Sequence, residues 1–355
     1  MILSIKKATS SDELYNMLQL DICEGRIGER LPSITQLCSL YKVSHCTVKK
    51  VLDRLKSNKY IEGFRGKCVQ VNKIAIGNPL FRKSIVFYLH INTMGNPYYL
   101  KVLVCIRQLL QASGSSVHFV NSPEQLAELD FKPDIMVLSE VMDENEIEEL
   151  ESICGRGKVV KLNDSSQNYN TVGTDNYSGG CQAAKYLYAM GHRRVGLISR
   201  NLDISGSFFA NRFNGFNAFA NKHTAMKVYN SEVNMDDNLN AAVPAATEKL
   251  FCDGSGITAI FAFTDMLALG VCSYCADKGL SIPNDISVLG FDNRDFGALL
   301  LPALTTFQED SEQVARLAKE MIFKIITKQD GTNTILVKPF LIERNSVKNI
   351  NNNRF

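Results

Sequence analysis

The sequence predicts an α/β protein in two unequal parts, a small winged helix-turn-helix head followed by a two-lobed domain built on parallel sheets. Three observations carry this. The chain has 355 residues, too many for one ordinary hydrophobic core. Positive charge collects at its start. Beyond residue 84, short β-rich runs alternate with helical patterns, as in sheets whose strands are joined by helices.

With 45% hydrophobic and 21% charged residues, the composition is that of a folded globular chain rather than a disordered or fibrous one. No apolar run approaches the roughly 18 residues of a membrane span. The stretch from Met1 to Ser10 lacks the apolar core and small-residue cleavage site of a secretory signal, so a cytoplasmic protein away from membranes is expected. The ten cysteines lack the regular spacing of a disulfide scaffold and should remain thiols. Cys272 and Cys275 form the one Cys-x-x-Cys, without a second pair or nearby histidines, so neither metal nor redox chemistry is expected there. Residues 1–75 carry 13 Lys and Arg against 7 Asp and Glu, a net of +6, which leaves 26 against 30, or −4, for the rest. A basic head on a mildly acidic body points to a polyanion partner for the head alone.

Within the head, Leu14, Leu18 and Ile22 mark an amphipathic first helix that Gly25 and Gly28 should end. A second, short helix starts after Pro32, where Ser33-Ile34-Thr35-Gln36 reads as a capping box. Ser44 can cap a third helix, with Val48, Val51, Leu52 and Leu55 on its buried stripe. The opposite face presents Cys46, Lys49 and Lys50, flanked by His45 and Thr47. Two short helices joined by a tight turn, the second exposing polar residues from its first turns, can seat that second helix in a DNA major groove. A hairpin follows, pairing Tyr60-Ile61-Glu62 with Cys68-Val69-Gln70-Val71 and lifting Arg65 and Lys67 on a loop that could reach phosphates. The competing reading is a helical interaction domain with solvated lysines.

The head resembles the winged-helix domain of the GntR family of bacterial regulators, on Gly25, Leu31-Pro32-Ser33, Val43-Ser44, Thr47-Val48, Leu55 and Gly66. The resemblance implies binding of double-stranded operator DNA through Ser33, Thr35, Ser44, His45, Cys46, Thr47, Lys49, Lys50, Arg65 and Lys67. Thr35 and His45 stand where that family usually has arginine.

Asn72 to Lys83 contains Gly77-Asn78-Pro79 and no clear periodicity, which places a linker at 76–83. Strands are then predicted at Ser84–Leu89, Val117–Val120, Ile135–Leu138, Val159–Leu162, Val195–Ile198, Ala259–Phe263 and Ile286–Phe291, with right-handed helical crossovers. Ligands of open α/β sheets bind beyond the carboxyl ends of strands. Asn96-Pro97-Tyr98-Tyr99 follows the first run and offers an amide and two aromatic faces, suited to a sugar or a planar base. Asp292 ends the Ile286 run, and Arg212 opens a helix; a carboxylate facing a guanidinium can grip adjacent hydroxyls. The same residues also fit an ordinary ion pair and two core tyrosines.

From about Ser84 to Val347 the chain resembles the effector domain of LacI/GalR regulators, a fold shared with periplasmic sugar-binding proteins. The resembling stretches include Val172-Gly173-Thr174-Asp175-Asn176, Gly191-His192-Arg193-Arg194-Val195, Arg212-Phe213-Asn214-Gly215-Phe216 and Thr264-Asp265-Met266-Leu267-Ala268-Leu269-Gly270. The longest is Ile282-Pro283-Asn284-Asp285-Ile286-Ser287-Val288-Leu289-Gly290-Phe291-Asp292-Asn293, followed by Pro302-Ala303-Leu304-Thr305-Thr306 and Leu341-Ile342-Glu343-Arg344-Asn345-Ser346. The resemblance implies a two-lobed, periplasmic-binding-protein-like domain over 84–347, with lobe one at about 84–174 and 307–328, lobe two at about 175–306 and 329–347, and a tail at 348–355. Its ligand contacts fall on Asn96, Tyr98, Tyr99, Arg212, Thr264, Asp292 and Gln308. Thr264 stands where that family usually has a ligand-binding asparagine, which shortens the reach and removes a donor. Asp265 is expected to cap its helix, and His192 to be structural.

The expectation is a DNA-binding repressor acting as a homodimer, controlled by a small molecule, a sugar or sugar derivative, with a purine or nucleoside as the alternative effector. A solute-binding protein would share the sensor fold but lack the basic head. Neither an activated nucleophile nor a metal set is visible, so no catalysis and no cofactor are expected. Asp143, Glu144, Glu146, Glu148 and Glu149 read as a solvated helix face.

Overall fold

The computed structural model describes residues 8–63, 69–89, 97–139, 144–163, 168–200, 202, 207–234, 238–252, 255–329 and 332–351. In the head, α1 (Ser11–Cys23), α2 (Ile34–Tyr41) and α3 (His45–Ser57) precede a hairpin of β1 (Ile61–Gly63) and β2 (Val69–Val71). Each helix starts where its cap lies. Ser10, Ser33 and Ser44 all accept from a backbone N–H three residues on, and Gln36 returns its side-chain oxygen to the Ser33 N–H at 2.9 Å, completing the capping box. Between α2 and α3, Lys42 turns the chain at φ 53°. Leu14, Leu18, Leu37, Val48, Val51 and Leu55 fill the core between the helices.

The linker is packed rather than free. Ala75 and Phe81 join the head core, where the Phe81 ring meets Tyr60 edge-on at 4.9 Å, while Leu80 enters the core of the next domain. The Asn78 side-chain amide donates to the carbonyls of Ile74 and Ser113, and Gly77 N–H donates to Ile22.

The first sheet of the large domain contains β3 (Ser84–Tyr88), β4 (Ser116–Val120), β5 (Ile135–Leu138), β6 (Val159–Leu162), β7 (Asn170–Thr174) and β13 (Thr334–Val337), all parallel, in the order β13-β7-β6-β5-β3-β4. The second contains β8 (Arg194–Arg200), β9 (Lys227–Val233), β10 (Ala259–Ala262), β11 (Ser287–Phe291), β12 (Thr305–Gln308) and β14 (Phe340–Ile342), in the order β14-β12-β11-β10-β8-β9. Only its edge strand β14 runs antiparallel. Helices α4 (Pro97–Ala112), α5 (Pro123–Ala127), α6 (Glu144–Cys154) and α11 (Ser311–Ile326) serve the first sheet. Helices α7 (Asn176–Ala189), α8 (Phe208–Lys222), α9 (Leu239–Cys252) and α10 (Asp265–Asp277) serve the second.

The chain passes between lobes three times: after β7, after β12 and between β13 and β14. This corrects the expected lobe boundaries, because β12 keeps Phe307 and Gln308 in the second sheet and β13 places Thr334–Val337 in the first. The switch in strand order falls between β3 and β5 in one sheet and between β8 and β10 in the other. Crevices open at such points beyond the carboxyl ends of the strands.

Helices α7 and α8 approach unusually closely because glycine faces carbonyl on both sides. A Cβ on Gly180 would fall on the Arg212 carbonyl oxygen, and one on Gly215 on that of Tyr177. Neither carbonyl can move without breaking its helix. Gly180→Ala and Gly215→Ala are therefore each expected to destabilise the second lobe by about 1–3 kcal/mol or more. Gly28→Ala, where the added atom meets nothing within 4 Å, should change little. Urea unfolding of the full chain checks both.

Candidate functional site

Arg212 organises the candidate site. Carried on the first turns of α8, it is only 2% exposed. Its Nε donates to Asn176 Oδ1 at 2.8 Å, and Nη1 donates to the Phe263 carbonyl at the end of β10. The guanidinium lies over the Phe291 ring, 3.5 Å from its centroid, with Phe208 5.3 Å away. Two carboxylates face it: Asp292 Oδ1 lies 3.7 Å from Nη1, and Glu309 Oε1 lies 3.6 Å from Nη2. The expected pairing of Arg212 with Asp292 is present, and it is buried rather than a surface ion pair. Burial pushes both carboxyls above their ordinary range, with the Arg212 charge pulling the other way.

Asp292 sits at φ 113°, a conformation L residues rarely adopt, and is followed by Asn293 at φ 51°. Its N–H donates to the Phe307 carbonyl at 2.8 Å, and Arg294 Nε lies 3.8 Å from its Oδ2. Gln308, the neighbouring candidate, accepts from Asn293 Nδ2 at 2.8 Å. Alternation along β12 sends Gln308 and the next residue, Glu309, to different partners. Glu309 was not singled out from the sequence, although it stands one position beyond the residue that was.

Thr264 caps α10, its hydroxyl accepting from the Leu267 N–H at 3.2 Å. This corrects the expectation that Asp265 is the cap. Fully buried, Asp265 instead accepts at 2.6 Å from both the Thr306 hydroxyl and the Arg294 N–H, tying α10 to β12 and to the turn that carries Asp292. From the first lobe, the Tyr98 hydroxyl meets Thr174 Oγ1 at 3.0 Å, and burial together with the Glu309 charge raises it well above the ordinary phenol range. Tyr99 stands edge-on to Tyr98 and packs in the first-lobe core. Asn96 lies outside the described residues.

In the head, Ser33, Thr35, Ser44, His45, Cys46, Lys49 and Lys50 are exposed and Thr47 is half-buried. Ser33 and Ser44 use their hydroxyls as helix caps, and Thr47 Oγ1 lies 2.8 Å from Ser44 Oγ. No carboxylate of a described residue pairs with Lys49 or Lys50, whereas Arg54 on the same helix is held by Asp12 and by the Tyr15 ring. Arg65 and Lys67 lie outside the described residues. Among those described, no group of three His, Cys, Asp or Glu side chains could hold a metal ion. Burial pushes the Cys272 and Cys275 thiols up to about 12 and about 11.

Two buried groups of the second lobe titrate in opposite senses. Burial raises Asp265 from 3.8 to about 6, against its two hydrogen bonds. The folded state therefore takes that proton first, and acidification from pH 6 to 4 stabilises. His192, bonded to Thr258 Oγ1 and to the Lys348 carbonyl, is lowered by burial from 6.5 to about 4. There the unfolded chain takes the proton first, so acidification destabilises. Each contribution is worth about 2–3 kcal/mol. Asp265→Asn leaves His192 unopposed, so its urea midpoint should fall more steeply between pH 6 and 4 than that of the unsubstituted chain.

Residues 10–71 match the family model described as "Bacterial regulatory proteins, gntR family", and residues 184–347 match that of a "Periplasmic binding protein-like domain". The HTH-type transcriptional repressor PurR of Vibrio atlanticus (strain LGP32) is 31% identical over 174 residues, 49% of this chain; the chain thus spans about half that relative, 51% of its length. PurR of Histophilus somni (strain 129Pt) is 26% identical over 320 residues, 86% of this chain and 91% of that one. Among solved structures, a LacI family transcriptional regulator from Enterococcus faecium with bound ribose superposes with a TM-score of 0.63 at 21% identity, covering 75% of this chain and 99% of the other. No helix among the described residues is long and apolar enough to cross a membrane. The chain thus joins a head similar to gntR-family regulatory proteins to a periplasmic-binding-protein-like domain that shares the fold of that LacI family regulator.

Proposed function

We propose that the chain is a transcriptional repressor whose affinity for operator DNA is set by a small polyhydroxylated molecule, a sugar or sugar derivative, bound between the lobes. The observation that carries this is the buried Arg212 facing Asp292 and Glu309 at the carboxyl ends of the second sheet, in a chain whose head exposes Lys49 and Lys50 on its third helix. A guanidinium between two carboxylates suits hydroxyl groups, which donate and accept at once. The Tyr98 ring supplies an aromatic face. The same fold holds ribose in the Enterococcus faecium regulator.

A ligand changes DNA affinity only by preferring one arrangement of the lobes and heads, and a preference of about 1–3 kcal/mol gives roughly 5- to 150-fold. The packed residues 72–83 carry that change to the head. The protein acts in the cytoplasm as a homodimer, its two heads reading two half-sites of a palindromic operator.

The DNA reading is checked by salt dependence. Replacing Lys49 and Lys50 by alanine should weaken operator binding and lower the slope of log affinity against log salt by about one to two. An unchanged slope would sink it.

The effector reading is checked by a thermal-shift screen of sugars and nucleobases against the full chain, followed by calorimetry. Asp292→Ala is expected to lower sugar affinity by about 30- to 150-fold, or roughly 2–3 kcal/mol, with operator affinity in the absence of ligand nearly unchanged. Wild-type affinity in both Asp292→Ala and Arg212→Ala would put the cleft elsewhere, and stabilisation by nucleobases alone would replace the sugar.

A further inference from the structure

We infer that Asp265 is a positioning residue for the effector site: without touching the effector, it braces the turn 292–294 in the backbone conformation that presents the Asp292 carboxylate. This rests on the effector reading above and deepens it.

Asp265 opens α10 and is entirely buried, so no effector reaches it. It has no cap to make, because Thr264 takes that part. A buried acid is costly, and the charges of Arg294 and Arg344 offset only part of that cost. What its two oxygens do is hold one turn. Oδ2 accepts from the Arg294 N–H and Oδ1 from the Thr306 hydroxyl, both at 2.6 Å, and Thr306 Oγ1 in turn accepts from the Asn293 N–H at 3.4 Å. The carboxylate thus reaches the backbone of the two residues that follow Asp292, one directly and one through Thr306. The end of β11 is shaped to admit it, since a Cβ on Gly290 would collide with Oδ1.

That turn needs a brace. Asn293, at φ 51°, is of a type that tolerates the left-handed region, whereas Asp292, at φ 113°, lies well outside it. Such a conformation persists only where the surroundings over-determine it. The other ties lie on either side of the Arg294 N–H: the Asp292 N–H donates to the Phe307 carbonyl, and the Asn293 side chain accepts from Arg344 Nη2 at 2.7 Å and donates to Gln308 at 2.8 Å. Released by Asp265, the turn can relax toward negative φ, which swings the Asp292 side chain away from Arg212 Nη1, now 3.7 Å from its Oδ1. Affinity for the effector depends on that carboxylate being in place beforehand.

Calorimetry on the full chain tests this with whichever of D-ribose, D-xylulose, D-glucose, D-galactose, adenine and guanine binds it. Asp265→Ala should lower affinity about 10-fold or more. Asp265→Asn, whose amide oxygen can accept from Arg294 while its N–H donates to Thr306, should recover most of that loss. In an Asp292→Ala background Asp265→Ala should cost nothing further, because no carboxylate is left to position. Without any ligand, deuterium uptake over residues 291–299 should quicken about 10-fold in Asp265→Ala and much less in Asp265→Asn. The inference is overturned if Asp265→Ala binds like the wild type, if Asp265→Asn loses as much as Asp265→Ala, if the losses of Asp265→Ala and Asp292→Ala simply add, or if uptake over 291–299 is unchanged. Should Asp265→Ala fail to fold, Thr306→Val, which removes the hydroxyl between Asp265 and the Asn293 N–H, decides by the same cycle and the same uptake. Loss of binding in Asp292→Ala with none in Asp265→Ala would leave the effector reading standing and remove Asp265 from it. Binding of none of the six probes, or no loss in Asp292→Ala, would remove the effector reading and the inference with it.

Discussion

A guanidinium sealed from water is the constraint around which the second lobe is arranged. Moving such a charge out of solvent costs several kcal/mol unless neighbours compensate. Around Arg212 the compensation comes from every side: a side-chain amide on α7, a main-chain carbonyl after β10, an aromatic face on β11 and two acids at the ends of β11 and β12. These groups arrive from four different elements, α7, β10, β11 and β12, so the register of the strands and the close contact of α7 with α8 become conditions for keeping the charge. Asp292 shows the tension locally, since its carboxylate reaches Arg212 from a backbone conformation that strains a residue with a side chain.

Much of this was legible before any coordinates. The starts of α2 and α3 were readable to the residue because they are written in short-range chemistry: Ser33 with Gln36, and Ser44 before an apolar stripe. Seven strands of the large domain were visible as apolar runs, since parallel strands covered on both faces are hydrophobic throughout. Strands without such runs were not. β7 reads Asn-Thr-Val-Gly-Thr, β9 is an edge strand with polar alternation, and β12 is half threonine, so each owes its place to its neighbours. The lobe crossings followed from those omissions.

At the candidate site, Arg212 and Asp292 were singled out from position and family resemblance, and the two side chains face each other. Glu309 was not, because whether an acid after a strand points to solvent or to a buried cation is decided by the crossing that carries it. The assignment of the α10 cap to Asp265 failed for a related reason. Thr and Asp stand side by side as equally good caps, and only the tertiary partners, Thr306 and the Arg294 N–H, draw the aspartate away.

The packed junction between the head and the large domain bears on how such proteins can be recombined. Phe81 touches the Tyr60 ring on one side, while on the other a Cβ at Gly114 would collide with its ring. A head exchanged at residue 75 would thus arrive without the surface that its own aromatic residue expects. Chimeric regulators, whether made in the laboratory or by gene fusion, must therefore inherit 72–83 together with the α4–β4 corner as one cassette. The natural unit of exchange is larger than the DNA-binding fold itself.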